Sequence, residues 1–186
     1  MEKKKVAIVT LGDSRREFYK KREAIVASEI EKVKKAFGDK YDLYISPIVF
    51  DTEDGQNISD EIKKQGIEAV IIHVPIWATP SLAFRIAYGT SYPVLLLGNL
   101  QRNTSSLVTL LAVGGMLDQT GKKCIRVSGD YEDPQIQEKV DNFVKRCLCG
   151  RRHSPFQLWN DRRKKYWYWD YGSRSKPVAE YLWGRV

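Results

Sequence analysis

Two adjacent arginines near the N-terminus of this 186-residue chain are of a type and in a position suited to ligand recognition. Arg15 and Arg16 follow a short β-branched apolar run, in the segment L-G-D-S-R-R-E, and open a helical pattern. A positive charge in the first turn of a helix opposes the helix dipole, so local stability gives no reason for the pair. The arginines are therefore candidates for contact with a ligand or with a neighbouring subunit.

Trp77 is the third candidate for ligand contact. It lies just past the end of another apolar run, between two prolines in H-V-P-I-W-A-T-P. Its indole either covers the edge of a sheet or forms a flat apolar wall against which a sugar or another ligand stacks. The loop alone does not separate these interpretations. His73, inside the preceding run, is expected to be a buried histidine with satisfied ring nitrogens rather than a ligand.

The sequence disfavours several classes of catalytic site. The first loop lacks the G-x-G-x-x-G and Walker lysine motifs of dinucleotide and nucleoside triphosphate sites, and Asp13 or Ser14 is expected to cap the helix that follows. With two histidines and three cysteines in the whole chain, no metal-ligand set or nucleophile triad can be assembled. The acidic residues at 51–54 are interpreted as solvated surface. We expect no catalytic residue and no metal ligand in this chain.

Alternating strand and helix patterns over residues 1–146 must position these side chains. The predicted strands cover residues 6–11, 42–49, 68–74, 94–97 and 123–127, and the predicted helices cover 15–37, 56–65 (capped by Asn57 or Ser59), 81–87, 105–119 and a segment that starts at 133–134. Such alternation indicates an α/β protein with a flavodoxin-like open parallel five-stranded sheet and helices on both faces. Ligands of such sheets gather beyond the carboxyl ends of the strands, where the loops with the candidate residues fall.

The charge of the chain is concentrated at one end. The formal net charge is +8, but residues 1–146 hold 22 basic and 20 acidic residues. Residues 147–186 hold nine basic and three acidic residues, together with four of the five tryptophans. The pattern predicts one α/β domain at residues 1–147 and, at 148–186, a basic aromatic C-terminal tail without clear structure.

The apolar runs and the cysteines of the sequence bear on the cellular location of the protein. None approaches the roughly 20 residues that span a bilayer, and no signal region is recognisable at the N-terminus. Three cysteines without framework spacing are typical of a reducing compartment. We therefore expect a cytoplasmic protein without a membrane partner.

Four segments together resemble a known family. They are K-V-A-I-V-T-L-G-D-S-R-R-E-F-Y at 5–19, A-V-I-I-H-V-P-I-W-A-T-P-S-L-A at 69–83, P-V-L-L-L-G-N at 93–99 and S-S-L-V-T-L-L-A-V-G-G-M-L-D-Q at 105–119. In this order they resemble the N-terminal domain of the L-fucose isomerase and L-arabinose isomerase superfamily, on the L-fucose/D-arabinose side. The resemblance covers residues 5 to about 147. It implies a flavodoxin-like first domain of an aldose–ketose isomerase that uses a divalent metal, usually manganese.

The resemblance also implies how the candidate residues act. In this family the metal ligands lie in later domains, and the first domain helps form the sugar site of a neighbouring subunit in a homo-oligomer. Arg15, Arg16 and Trp77 match the positions that face that sugar, whereas residues 99–103 depart from the family pattern. The expected function is thus an isomerase fragment without cofactor and without activity of its own. A nucleic-acid-binding protein that uses the tail, and a stand-alone small-molecule-binding module, are the alternatives.

The tail departs from the family pattern in a specific way. Family members continue with segments resembling L-R-x-x-x-F-G-L-I-G-G-R-S-I-G-I and, later, D-P-S-Q-W. Synonymous codons for residues 153–171 and 174–181, when translated one base later, give T-L-R-S-N-F-G-M-I-G-G-R-S-I-G-I-G-T-T and D-P-S-Q-W-Q-S. Because tryptophan has one codon and tyrosine has two, these residues leave little freedom in the shifted frame. We therefore expect residues 148–186 to be an out-of-frame translation that ends a truncated isomerase gene.

Overall fold

The computed structural model describes residues 3–90 and 93–150. The predicted tail, apart from positions 148–150, lies outside the described residues. The elements in chain order are β1 (Lys4–Thr10), α1 (Arg16–Lys20), α2 (Glu23–Phe37), β2 (Tyr41–Ile45), α3 (Thr52–Lys64), β3 (Ala69–Val74), α4 (Pro80–Gly89), β4 (Val94–Gly98), α5 (Ser106–Gln119), β5 (Cys124–Ser128) and α6 (Pro134–Gly150).

The five strands form one parallel sheet in the order β2-β1-β3-β4-β5. This order confirms the flavodoxin-like open sheet predicted from the alternation of strands and helices. All six residues of β3 are buried, as expected for a central strand that is covered on both faces. None of the helices in the described residues is long and apolar enough to cross a membrane.

Helices cover both faces of the sheet and divide the core in two. Alternate residues of β1 face opposite sides, so that Ala7 and Val9 belong to one cluster and Val6 and Ile8 to the other. The first cluster is completed by α3, α4 and α5, and the second by α2 and α6. The carboxyl ends of the strands are thereby held in fixed register between the two layers of helices.

The first helical region differs from the prediction of one helix over residues 15–37. The structure has two helices, α1 and α2, which are separated by Lys21 and Arg22. The break lets Tyr19 pack edge-on against Phe50 with ring centroids 4.6 Å apart. Apolar spacing alone did not reveal it, because α1 and α2 both carry apolar residues at helical intervals.

The start of α3 and the end of β2 also differ from the sequence prediction. Helix α3 begins at Thr52 and is capped by Asp51, whose carboxylate accepts a 2.8 Å hydrogen bond from the backbone N–H of Asp54. The predicted caps at 57 and 59 are therefore wrong, and the acidic residues at 51–54 begin the helix, where their charge is favoured. Strand β2 ends before Pro47, which has no N–H to donate.

Candidate functional site

The strand order creates a crevice at the carboxyl ends of β1 and β3. The chain leaves β1 toward β2 on one side, and β3 continues toward β4 on the other, so this is the topological switch point at which open α/β sheets bind ligands. The loops that follow these two strands meet there, because Ser14 Oγ lies 3.4 Å from Thr79 Oγ1. Both hydroxyl-bearing residues are exposed. The structure thus brings together the loop of the two arginines and the loop of Trp77.

Arg15 has a partner within its own loop. The carboxylate of Asp13, 1% exposed, accepts hydrogen bonds from Arg15 Nε at 3.0 Å, Arg15 Nη2 at 2.8 Å and the backbone N–H of Arg15 at 3.0 Å. Burial would raise the pKa of Asp13, but the hydrogen bonds from Arg15 outweigh it and hold that pKa below its usual value. Arg15 therefore stabilises its own loop, so the expectation that neither arginine has a local structural role is wrong for Arg15. Asp13 does not cap α1 either, since the residue at the N-cap is Arg15.

Arg16 is placed differently from its neighbour. It is the first residue of α1 and is exposed, and its guanidinium carbon lies 3.5 Å from the centre of the Phe50 ring. Within the described part of the chain it forms no ion pair. Stacking on an aromatic ring occupies the face of a guanidinium and leaves its in-plane N–H donors for another partner. Arg16 is thus the arginine better suited to a ligand.

Trp77 is half-buried on a loop whose backbone is fixed. The backbone N–H of Trp77 donates to the carbonyl of Thr104 at 2.8 Å, and the backbone N–H of Ala78 donates to Thr109 Oγ1 at 3.0 Å. Ile76 and Ala78 on either side are fully buried. A partly exposed indole on such a loop is suited both to covering the sheet edge and to serving as a rigid apolar wall.

A buried polar network lies beside the crevice, and sequence reasoning found only one of its members. His73 is fully buried, with Nδ1 3.2 Å from Thr10 Oγ1 and Nε2 3.1 Å from the Tyr131 hydroxyl, which confirms the prediction of a satisfied buried histidine. Burial lowers the pKa of His73 to about 3. Burial, together with the negative charge of the nearby Glu29 carboxylate, raises the pKa of the Tyr131 hydroxyl.

Glu29 on α2 is the member of the network with the most donors around it. It is 2% exposed, and its carboxylate accepts hydrogen bonds from Asn99 Nδ2 at 3.1 Å, Gln101 Nε2 at 2.9 Å and Lys32 Nζ at 2.6 Å. The sequence carried a signal that was missed. Glu29 lies at helical spacing between Val26 and Val33, within the stripe of α2 that faces the core.

Metal-ligating side chains do not cluster in the described residues, and the resemblance places the metal ligands of the family in later domains. Among residues 3–90 and 93–147, no group of three or more His, Cys, Asp or Glu side chains could hold a metal ion. The carboxylate of Asp13, in the same loop as the arginines, forms an ion pair with Arg15. The crevice brings together a guanidinium, two hydroxyls and an indole, which are groups suited to the recognition of a polar ligand.

A second concavity lies away from the crevice. It has a volume of about 530 Å³ and follows the outer edge of β2. Its lining contains none of the candidate residues and consists of Lys3, Lys34, Gly38, Tyr41, Asp42, Leu43 and Ile45. We place the candidate site at the crevice because the topology, the candidate side chains and the buried network coincide there.

Comparison with known proteins identifies the domain. The family model described as the first N-terminal domain of L-fucose isomerase matches residues 3–150. No curated protein matches the chain. The matched region begins one residue before β1 and ends with α6, so it contains both loops of the crevice. The chain belongs to the family of the first N-terminal domain of L-fucose isomerase.

Proposed function

We propose that this chain is the sugar-contacting N-terminal domain of an aldose–ketose isomerase that acts on a sugar of the L-fucose, D-arabinose or L-arabinose type. It contributes to the sugar site of a neighbouring subunit in a homo-oligomer and is inactive alone. The family match over residues 3–150 supports this proposal. The observation that carries it is the meeting of the Arg16 and Trp77 loops at the switch point, through Ser14 and Thr79.

The residues at the crevice suit the two kinds of surface that a sugar presents. The in-plane donors of Arg16 and the hydroxyls of Ser14 and Thr79 can hydrogen-bond to sugar oxygens. The Trp77 indole offers a flat face to the C–H groups of the ring. In isomerases of this family a divalent metal, usually manganese, supplies polarisation of the sugar oxygens. In this proposal the residues of the chain bind and orient the sugar, and other domains supply the metal site and the proton transfer.

An apolar face of α5 supports the participation of a second chain. Leu107, Val108 and Leu111 are 41%, 56% and 57% exposed, and Leu100 in the preceding loop is 59% exposed. The same loop contains Thr104, which accepts the backbone N–H of Trp77. Exposed apolar residues that cluster beside a candidate site are typical of a protein–protein interface. We place the assembly in the cytoplasm, where the thiol of Cys124 stays reduced.

The origin of the tail is part of the proposal. We infer that residues 148–186 are translated out of frame and that the gene once continued into the metal-binding domains. The nucleotide sequence downstream of codon 147 tests this. A shifted frame that continues into an isomerase with Glu, Asp and His metal ligands is expected, and a shifted frame without such a continuation would refute the inference.

A sugar titration tests the proposed function. L-Fucose, D-arabinose and L-arabinose are titrated into the chain alone, and into a mixture with an L-fucose isomerase from which the first N-terminal domain has been deleted. We expect binding in the mixture that is weakened by R16A and by W77A. R85A, at an exposed position of α4, is the matched control and leaves binding unchanged. Equal binding by the chain alone would instead identify a stand-alone binding module.

A further inference from the structure

Asn99, at the carboxyl end of β4, uses every hydrogen-bonding position of its side-chain amide. Nδ2 donates to Glu29 Oε2 at 3.1 Å and to the carbonyl of Pro75 at 2.9 Å. Oδ1 accepts from the backbone N–H of Gln101 at 3.1 Å and from Thr104 Oγ1 at 2.9 Å. The residue is 4% exposed, so these bonds are shielded from water. Asn99 thereby joins α2, the loop after β3 and its own loop.

The chemistry of its partners fixes which way this amide points. The carboxylate of Glu29 and the carbonyl of Pro75 only accept hydrogen bonds, so they require the nitrogen of the Asn99 amide. With the amide reversed, an oxygen would face two acceptors, and the N–H of Gln101 would face a donor. One orientation alone satisfies all four bonds.

Trp77 is connected to Asn99 by two separate hydrogen-bonded routes. Pro75, which accepts from the Asn99 amide, lies two residues before Trp77 in the same loop. Thr104, whose hydroxyl donates to the Asn99 amide, accepts the backbone N–H of Trp77 at 2.8 Å. The position of the indole therefore depends on hydrogen bonds that converge on a single buried side chain.

We propose that Asn99 is a positioning residue for Trp77 and that Glu29 sets the orientation of Asn99. No local sequence pattern singles out Asn99, because its partners Glu29 and Pro75 lie far away in the chain. The role of Trp77 as a wall of the sugar site rests on the proposed function. The link between Asn99 and Trp77 rests on the hydrogen bonds alone.

The emission of Trp77 provides a test that needs no sugar. Trp77 is the single tryptophan in residues 1–150, so the full chain with W159F, W167F, W169F and W183F reports on it alone. In this background N99D keeps two acceptors for Gln101 and Thr104 but sets an oxygen against Glu29 and Pro75. We expect emission at longer wavelength and stronger quenching by acrylamide, because the Trp77 loop moves toward solvent. T104V, a milder change, is expected to shift both readouts in the same direction.

Rescue and a matched control separate positioning from a general loss of stability. Adding E29Q to N99D replaces the opposing carboxylate by an amide that can donate across the contact, so the double variant is expected to recover the parent emission. Y41F removes the 2.6 Å hydrogen bond to Asp141 at the first residue of β2, and it is expected to lower stability without altering Trp77. Unchanged Trp77 emission in N99D and T104V would overturn the proposal. An emission shift in the double variant that equals the sum of the shifts in N99D and E29Q alone would also overturn it. Either result would leave the sugar titration free to support or refute the proposed function.

Discussion

Arg15 and Arg16 are neighbours in the sequence but have different roles at the residue scale. Arg15 closes its own loop on the buried Asp13, whereas Arg16 stacks on Phe50. A bidentate pair with a carboxylate uses the same edge of the guanidinium that would bind a sugar, and a stacked guanidinium keeps that edge for a ligand. The first arginine therefore shapes the loop, and the second keeps its in-plane N–H donors available to a ligand.

His73 should make the stability of the domain depend on pH. Its pKa is about 3 in the fold against 6.5 as the ordinary value, so the unfolded chain binds a proton between these two pH values and the folded chain does not. Stability is therefore expected to fall as the pH falls from about 6.5 toward about 3. Urea unfolding of the full chain at a series of pH values measures this dependence.

Two histidine variants isolate this effect from that of the acidic residues. H73Q is expected to be less stable at neutral pH, because it loses the bonds to Thr10 and Tyr131, and to show a weaker loss of stability on acidification. H153Q, at the other histidine of the chain, should keep the slope of the parent. A parent-like slope in H73Q would show that His73 is not the titrating group.

The candidate residues could be predicted from the sequence, but the side chains that hold them could not. Trp77 and Arg16 follow predicted strands, and topology alone places such loops together. Glu29 and Asn99 act through partners 70 and 24 residues away, and no local pattern encodes such contacts. The acidic Glu29 within the apolar stripe of α2 was the one sequence signal that pointed to this buried network.

At the scale of elements, the N-terminus of α3 links helix capping to the candidate site. Asp51 caps the helix, and the carboxylate of Asp54 accepts the backbone N–H of Phe50, on which Arg16 stacks. D51A is expected to lower the free energy of unfolding by about 1 kcal/mol, because the cap is lost. D51N should retain most of it, since asparagine caps equally well. Chemical denaturation compares the two, and equal losses would contradict a capping role.

The contact between α3 and α4 depends on a glycine. A Cβ at Gly89 would lie 1.5 Å from Ser59 Oγ and 2.6 Å from Ser59 Cβ, so G89A is expected to cost about 1–3 kcal/mol of stability. S59G should restore much of this loss. G115A in α5, where a Cβ would meet nothing within 4 Å, is expected to stabilise by about 0.5–1 kcal/mol. Thermal unfolding tests the contrast, and a neutral G89A would disprove the close contact.

The strands were more predictable than the helix boundaries for a physical reason. A buried parallel strand must be apolar on both faces, so β1, β3 and β4 are visible as continuous runs. The division between α1 and α2 accompanies the packing of Tyr19 on Phe50, a contact between residues that are far apart in the chain. Pattern in one segment cannot encode such a contact.

At the scale of the whole molecule, the uneven charge separates two possible activities. Residues 1–146 are close to neutral, and the basic and aromatic residues that suit nucleic acid lie in the tail. Any salt-sensitive binding of single-stranded nucleic acid is therefore expected to disappear when residues 151–186 are deleted. Fluorescence anisotropy with a labelled oligonucleotide measures this. Binding that persists in the deletion variant would place a nucleic-acid site in the domain itself.

The rate of ketose formation from L-fucose in the presence of manganese tests the central claim most directly. The chain alone is expected to give no turnover, whereas its mixture with an L-fucose isomerase lacking the first N-terminal domain should recover turnover. W77A should reduce the recovered rate and R85A should not. Turnover by the chain alone would contradict the account. Equal recovered rates in the mixtures that contain W77A and R85A would also contradict it.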